Sequence, residues 1–441
     1  MNKEKCKKFQ VNQKKKEPTK INYSSNINQQ IEKDIIKDQK NPSNKPNVNS
    51  IKVNDMQNYQ ISKGRSSSLI SKPLKNTTPN IKISKFINGT IGLNNIGNTC
   101  YINSAIQNLK NVYPLTLYLL SNYINYDQNG FTFKYCKLIA NLINQDTYKF
   151  FEPREFFSKL NELIPIFRFG EQNDSNFCII YILNLLEKET KSDKRNFCQR
   201  NDIIFNNEIE KNKFQEFQNK LHQRRNSTII KFFYGFQKDI YECGNCSYIN
   251  YIFQGFSVLN LPIMNKDNKQ INCLKEAIKY YQAPQYHNKE RGFYCPECNN
   301  NIIKTQSLII SYPEFLIINL KRIGENKFYS HKVDFPLNLI INENNKYEIK
   351  YELIGYIKHI GGGKSGHNIA ICKNFFDDHW YIYNDNVVTD LNNNNKNILI
   401  NKQITIDSPN AFLFFYKKEE LKKISENVKE IIINKSRELR K

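Results

Sequence analysis

The chain reads as an α+β domain on three observations. Residues 100 to 220 place apolar residues at helical spacing, segments from Ile229 onward alternate as short strands do, and a Gly- and Asn-rich loop delivers one cysteine to the first helix. With 441 residues, 39% of them hydrophobic, the chain can build one large domain with a substantial core and still carry a tail. Helices first and strands later predict two halves that meet across a cleft.

The tail comes first. Residues 1 to 88 hold 19 Lys and Arg against 6 Asp and Glu, a net +13 of the chain's +23. Runs such as Lys14-Lys15-Lys16 among Asn and Ser, with few aromatics, bury too little apolar surface to fold alone, so a disordered basic tail is expected. Such a tail suits nuclear import or contact with nucleic acid or an acidic membrane. A solvated Lys/Asn-rich segment without a partner is the plainer reading and is preferred. No apolar run reaches the ~20 residues of a membrane span, and the N-terminus lacks the apolar core of a signal peptide. A soluble protein of the cytoplasm and/or nucleus is expected.

The first helix follows Gly92-Leu-Asn-Asn95-Ile-Gly97-Asn98-Thr99-Cys100, because Ile102, Ile106 and Leu109 recur at helical spacing while the Gly and Asn residues suit a loop. Asn98 or Thr99 is placed to cap this helix, and Gly97 permits the turn before it. At a helix N-terminus the unpaired N–H groups and the dipole favour thiolate, so Cys100 has the setting of a nucleophile. Asn95 is placed to donate to an oxyanion on the carbonyl under attack. A lone cysteine is usually a core residue; here the flanking pattern reverses that weight. Helices are expected over Phe150 to Leu163 and Phe177 to Leu186, then strands at Ile229 to Phe233, Ser307 to Tyr312, Phe315 to Leu320 and Tyr351 to Ile357.

A thiol nucleophile needs a base, and the six histidines offer few. His367 follows Ser365-Gly366 and opens an alternating run through Ile369 and Ile371, a strand leaving the Gly361 to Gly363 loop. A second strand, Trp380 to Asn384, ends in Asn384-Asp385-Asn386 and would place Asn384 or Asp385 beside His367. Cysteine, histidine, then asparagine or aspartate is the order of papain-like thiol hydrolases. Separately, Cys243-Gly-Asn-Cys246 and Cys295-Pro-Glu-Cys298 have the knuckle spacing of a four-thiolate Zn²⁺ site, with no open position and therefore a structural role. Disulfides are the less fitting alternative in a reducing compartment. Cys136 and Cys178 lie among apolar residues in expected helices and Cys372 in the strand that follows His367, so these read as buried thiols; Cys6, Cys198 and Cys273 lack a pattern, His222, His287 and His379 lack a companion motif, and His331 reads as structural or solvent-facing. Leu421 to Arg440 reads as a charged helix with Ile424, Val428, Ile431 and Ile432 on one side, packing on its own domain.

These segments together resemble the ubiquitin-specific protease family of deubiquitinating enzymes. The match rests on Gly92, Leu93, Asn95, Gly97, Asn98, Thr99, Cys100, Asn103 and Gln107, then on His359, Gly361, Ser365, Gly366, His367, Trp380, Asp385 and Val388, with Leu320-Lys321-Arg322, Phe335-Pro336 and Ala411 to Tyr416 between and after. The resemblance implies a papain-like fold over residues 89 to 418, with a helical thumb, a β-rich palm and zinc-ribbon-tipped fingers over about 229 to 310 that cradle ubiquitin. Residues 1 to 88 then form the tail and 419 to 441 the C-terminal helix. It further implies Cys100 as nucleophile, His367 as general base, Asn384 as the third triad member with Asp385 beside it, and Asn95 as oxyanion donor. Gln107, Gln172 and Asp174 are implied in substrate binding, and His359 in shaping its loop. The implied activity is hydrolysis after ubiquitin's C-terminal glycine, with a structural Zn²⁺. Two departures stand out: Phe177 occupies a Glu position that helps hold the ubiquitin tail, and Asn368 replaces an aromatic after the histidine. A non-catalytic ubiquitin-binding scaffold and a zinc-ribbon nucleic-acid binder are the alternatives.

Overall fold

The structure, a computed structural model, describes residues 88–144, 149–190, 205–224, 227–287, 294–300, 302–322, 329–343, 347–361, 366–392, 410–421 and 423–441. The basic tail up to residue 87, Cys6, Cys198, residues 362–365 of the Gly-rich loop and most of the Asn392 to Asn395 run lie outside them.

The first helix, α1 (Cys100–Lys110), is buried on every face. Its polar side chains must therefore find partners inside the protein. Gln107 donates to Ile91 O at 2.9 Å, and Lys110 Nζ donates to Gln107 Oε1 at 2.8 Å, to the Gly89 carbonyl, and to the Tyr383 hydroxyl at 3.4 Å. The ammonium also stands 4.5 Å from the centre of the Tyr383 ring. Burial lowers Lys110 to about 7. The unfolded chain therefore holds more protons than the native state between about pH 7 and ~10.4, and stability rises with pH across that window. Lys110→Met is expected to flatten that rise in urea unfolding at about pH 7 and about pH 9; equal slopes in both proteins would refute it.

On α1 pack α2 (Tyr113–Ser121) and α5 (Ser175–Glu189); α3 (Phe131–Ile143) packs on both of these, and α4 (Arg154–Leu163) packs on α3. The Glu189 carboxylate reaches across to accept from the free N–H groups of Phe131 and Thr132 at 3.0 and 2.7 Å, capping α3 from a neighbouring helix. Phe150 to Leu163 is not one helix: β1 (Gly92–Leu93) pairs in parallel with β2 (Phe150–Phe151), and α4 begins only after Pro153. Next come α6 (Glu208–Arg224) and α7 (Thr228–Phe233), the latter where a strand was expected. A short apolar run fits either structure. Here Phe232 and Phe233 both turn onto Phe315, 6.1 and 5.9 Å away between ring centres, which suits a helix.

The strands form two larger sheets. In the four-stranded antiparallel sheet, β3 (Gly235–Cys243) lies between β4 (Ile249–Phe256) and β7 (Ile302–Ser311), and β6 (Gln285–Tyr286) edges β7. Glu210 of α6 bridges to Lys238 at 2.6 Å, both nearly excluded from solvent, which ties α6 to β3. The eight-stranded sheet contains β5 (Leu259–Leu261), β8 (Phe315–Leu320), β9 (Asn338–Glu343), β10 (Tyr347–Gly361), β11 (Gly366–Lys373), β12 (Trp380–Asn384), β13 (Val387–Asp390) and β14 (Ala411–Lys418). Its order is β13-β12-β11-β10-β14-β8-β5, with β9 paired to β10. Packed beneath it are Phe335, Tyr356 and Phe414, with α8 (Leu274–Gln282) in the same core. No described helix is long and apolar enough to cross a membrane.

The last helix, α9 (Glu426–Arg440), packs on α2 and α3. Its buried stripe runs through Ile432 and Ser436 rather than Ile431, which is 38% exposed. Ser436 accepts from Asn144 at 2.5 Å, and Arg440 donates to Asn144 O at 3.2 Å.

Candidate active site

The loop before α1 turns about the Asn95 side chain. Asn95 Oδ1 accepts from the N–H groups of Gly97 and Thr99, both at 3.1 Å, while Gly97 and Asn98 take positive φ values of 111° and 52°. Neither expected cap forms. Thr99 stands at the N-cap position without a side-chain cap bond, accepting instead from Ile96 N at 3.1 Å, and Asn98 donates to Gly170 O at 2.6 Å. With its oxygen committed to the loop, Asn95 points its amide outward, where Nδ2 donates to Asp385 Oδ2 at 2.8 Å.

Strand pairing brings the other residues to the same place. Ile360 pairs with His367 across β10 and β11, and Ala370 with Tyr383 across β11 and β12, so the end of β12 lies beside His367. His367 Nε2 lies 2.6 Å from Asn384 Oδ1. That oxygen only accepts, so Nε2 carries the proton and the Nδ1 lone pair is left to act as a base. Asp385 occupies the hairpin turn with φ 48°. Its Oδ2 is 3.7 Å from His367 Nε2, yet both its oxygens accept shorter bonds, from Asn95 and from Asn103 Nδ2 at 2.7 Å. The turn is anchored to β1 through Leu93 N to Asp385 O at 2.8 Å. A Cβ on Gly92 would come within 2.7 Å of the Asp385 and Asn386 backbone, so only glycine permits this approach.

Cys100 is 5% exposed. Its thiol is raised above the ordinary range, chiefly by burial and further by the Asp385 charge, against the pull of the Asn368, Tyr101 and Cys100 backbone N–H groups. The helix terminus does favour the thiolate, as the sequence predicts, but burial outweighs it.

The three residues implied in substrate binding separate. Gln172 is exposed and donates to Gly366 O at 3.1 Å, bridging the approach to α5 and the start of β11. Asp174 is the N-cap of α5, accepting from Asn176 N at 2.8 Å; burial raises its carboxyl, opposed by that N–H and by His359. Gln107 is 2% exposed and bonded to Ile91 O, so it braces the segment before β1 instead of facing a cleft. Spacing places it on α1 but does not reveal that α1 has no free face. Phe177 is half-buried in the first turn of α5.

The knuckle cysteines converge as expected. The first knuckle turns between β3 and β4, with Cys243 N bonded to Tyr248 O at 3.1 Å; the second precedes β7, with Cys295 N bonded to Asn300 O at 2.7 Å. All four Sγ atoms lie within 4.8 Å of one another, and Cys243–Cys298 and Cys246–Cys295 are each 3.6 Å apart. A tetrahedral metal ~2.3 Å from each sulfur separates the sulfurs by about 3.8 Å, so the set fits a metal ion. Asn300, through its backbone N–H and then its amide, holds the Cys298 thiol below the ordinary range.

A family model for ubiquitin carboxyl-terminal hydrolase matches residues 91–416, from the segment before β1 to the end of the β14 core. The chain belongs to the ubiquitin carboxyl-terminal hydrolase family. Curated relatives include ubiquitin carboxyl-terminal hydrolase 2 of Bos taurus, 25% identical over 401 residues, covering 85% of this chain and 63% of the relative. Ubiquitin carboxyl-terminal hydrolase 4 of Arabidopsis thaliana is 27% identical over 322 residues, covering 67% of this chain and 84% of the relative. The chain thus spans under two thirds of the bovine relative's length. The fold is similar to that in the SAGA DUB module Ubp8/Sgf11/Sus1/Sgf73 bound to ubiquitin aldehyde, with TM-score 0.55 and 20% identity over 76% of this chain and 70% of that one. A monoubiquitin-bound form of that module gives TM-score 0.56 at 20% identity, over 78% and 73%. The α+β architecture is therefore the papain-like one of this hydrolase family. Two further side chains meet the site that the sequence does not single out for a role: Asn103, which donates to Asp385 Oδ1, and Ser175, which donates to Tyr101 O at 3.1 Å. Asn103 was detectable, since three residues after Cys100 it shares that cysteine's helix face. Ser175 carried no such signal.

Proposed function

We propose that this family member is a thiol-dependent deubiquitinase that hydrolyses the peptide or isopeptide bond after ubiquitin's C-terminal glycine. The observation that carries the reading is the paired assignment of Asn384 to His367 and of Asp385 to Asn95. One pair prepares a base and the other orients an oxyanion donor. His367 Nδ1 takes the Cys100 proton as sulfur attacks the carbonyl, and charge collects on the carbonyl oxygen beside the second Asn95 N–H. His367 then protonates the leaving amine. Water, deprotonated by the same imidazole, resolves the thioester and frees the ubiquitin carboxylate. The raised thiol makes this base necessary, because little thiolate exists before proton transfer.

The relatives' names and the ubiquitin-bound solved structures support ubiquitin as the partner. The four-cysteine cluster is read as a structural Zn²⁺ site at the tip of the four-stranded sheet, which would then be the fingers. Its sulfurs stand 3.6 Å apart, too far for disulfides, which suits a reducing cytoplasm and/or nucleus.

Incubation with a ubiquitin bearing a C-terminal electrophile tests the activity. One ubiquitin adduct on the Cys100 peptide is expected, and adducts spread over other cysteines or absent altogether would overturn the reading. Ubiquitin binding without an adduct would favour a non-catalytic scaffold.

A further inference from the structure

Asn368 stands beside the candidate base with a side chain that turns inward. It is 8% exposed, and it pairs in register with His359 across β10 and β11. His359 Nδ1 lies 2.9 Å from Asn368 Oδ1, so the imidazole donates and the amide oxygen accepts. Asn368 Nδ2 donates to Ser175 Oγ at 3.2 Å, and Ser175 Oγ donates to Tyr101 O at 3.1 Å. A directed chain of hydrogen bonds therefore runs from β10 through β11 and the start of α5 to the residue after Cys100. The main chain completes the enclosure. The His359 N–H bonds to Asn410 O at 2.9 Å, away from β11, while the Asn368 backbone N–H pulls the Cys100 thiol downward against burial.

We infer that Asn368 is a positioning residue: its side chain, anchored on His359 and Ser175, locks β11 against the first turn of α1 and so fixes the strand that carries His367 against the helix that carries Cys100. The role differs from those of Asn384 and Asp385, which reach His367 and Asn95. Gly366 belongs to the same arrangement, because a Cβ there would meet His359 Nε2 at 2.2 Å and push the imidazole off Asn368. The inference rests on the reading of Cys100 as the nucleophile, but its test requires no ubiquitin.

The rate at which iodoacetamide alkylates Cys100, followed on the Cys100 peptide by mass spectrometry from about pH 5 to about pH 10, reports formation of the thiolate in the full chain. Asn368→Ala and Ser175→Ala leave Asp385 and Tyr101, which act electrostatically on Cys100, and also His367, His359 and Asp174 in place. Each variant is expected to move the alkylation midpoint upward by about 1 pH unit. The double variant is expected to move it no further than the larger single change, because both cut one chain. With a ubiquitin substrate, kcat is expected to fall several-fold while KM holds. Unchanged midpoints in variants that retain the wild-type melting temperature would overturn the inference. Should Asn368→Ala fail to fold, Ser175→Ala alone decides it by the same midpoint. A wild-type chain that alkylates at Cys100, shifts as expected in the variants and still leaves ubiquitin conjugates intact would refute the deubiquitinase reading and uphold the role of Asn368.

Discussion

Asp385→Ala is expected to lower kcat/KM for cleavage at ubiquitin's C-terminus by roughly 10²–10³-fold, and Asn384→Ala by only about 10-fold. The order reverses what the sequence suggests, in which Asn384 is the triad member and Asp385 its neighbour. The reason lies in what each side chain holds. Asn384 makes one hydrogen bond, to His367 Nε2 at 2.6 Å, and a single such bond contributes about 0.5–1.5 kcal/mol. Asp385 holds Asn95 and Asn103 through separate oxygens, at 2.8 and 2.7 Å, and stands 3.7 Å from His367. Without it, Asn95 keeps its loop bonds but loses the contact that aims its amide, and loss of one oxyanion donor costs about 2.7–4 kcal/mol in kcat. Asp385→Asn should fall between, since one of its two anchors becomes a clash between donors. Steady-state kinetics on a ubiquitin C-terminal amide, with circular dichroism to confirm folding, decides the point. Asn384→Ala losing as much as Asp385→Ala would sink it.

The α+β class and the pairing of a cysteine helix with histidine strands were legible because both rest on periodicity and chain order, which survive without knowledge of neighbours. Elements whose type depends on what they pack against were not. Ile229 to Phe233 has five residues, too few for a period to declare itself, and contact with Phe315 decides for a helix. Gln107 lay on the right helix, but only the enclosing fold shows that α1 is buried all round and that this amide faces Ile91. The net shift of the Cys100 thiol lay beyond the sequence for the same reason. Capping and dipole effects are local, whereas burial and the Asp385 charge come from partners across the fold. Asn95 and Asp385, for instance, are 290 positions apart. Which hydrogen bonds Asn384, Asp385, Asn103 and Asn368 each make required coordinates.

Purified chain is expected to hold one zinc, and Cys295→Ser to lose it and unfold the tip of the four-stranded sheet while Cys100 remains reactive. Structural zinc in small cysteine sites binds with apparent free energies of about 10–16 kcal/mol, and that energy is available to folding because the unfolded chain lacks the site. Here the knuckles join the β3–β4 turn to the approach to β7, two segments otherwise connected through the strand pairs below them. Cys295 is the most buried of the four at 1% exposed, so a hydroxyl there gives a poorer ligand without a solvent-facing escape. Cys100, His367 and Asp385 belong to α1 and to the separate eight-stranded sheet, whose pairing involves none of the knuckle residues. Metal loss should therefore raise KM for ubiquitin substrates, leave the iodoacetamide reactivity of Cys100 within about 2-fold of wild type, and open proteolytic sites between residues 243 and 302. Metal analysis, limited proteolysis and the two rate measurements on the same preparation separate the outcomes. Less than about half a zinc per chain with all four thiols reduced would remove the metal from the account, and Cys100 losing reactivity together with the zinc would show that the two sheets fold as one unit.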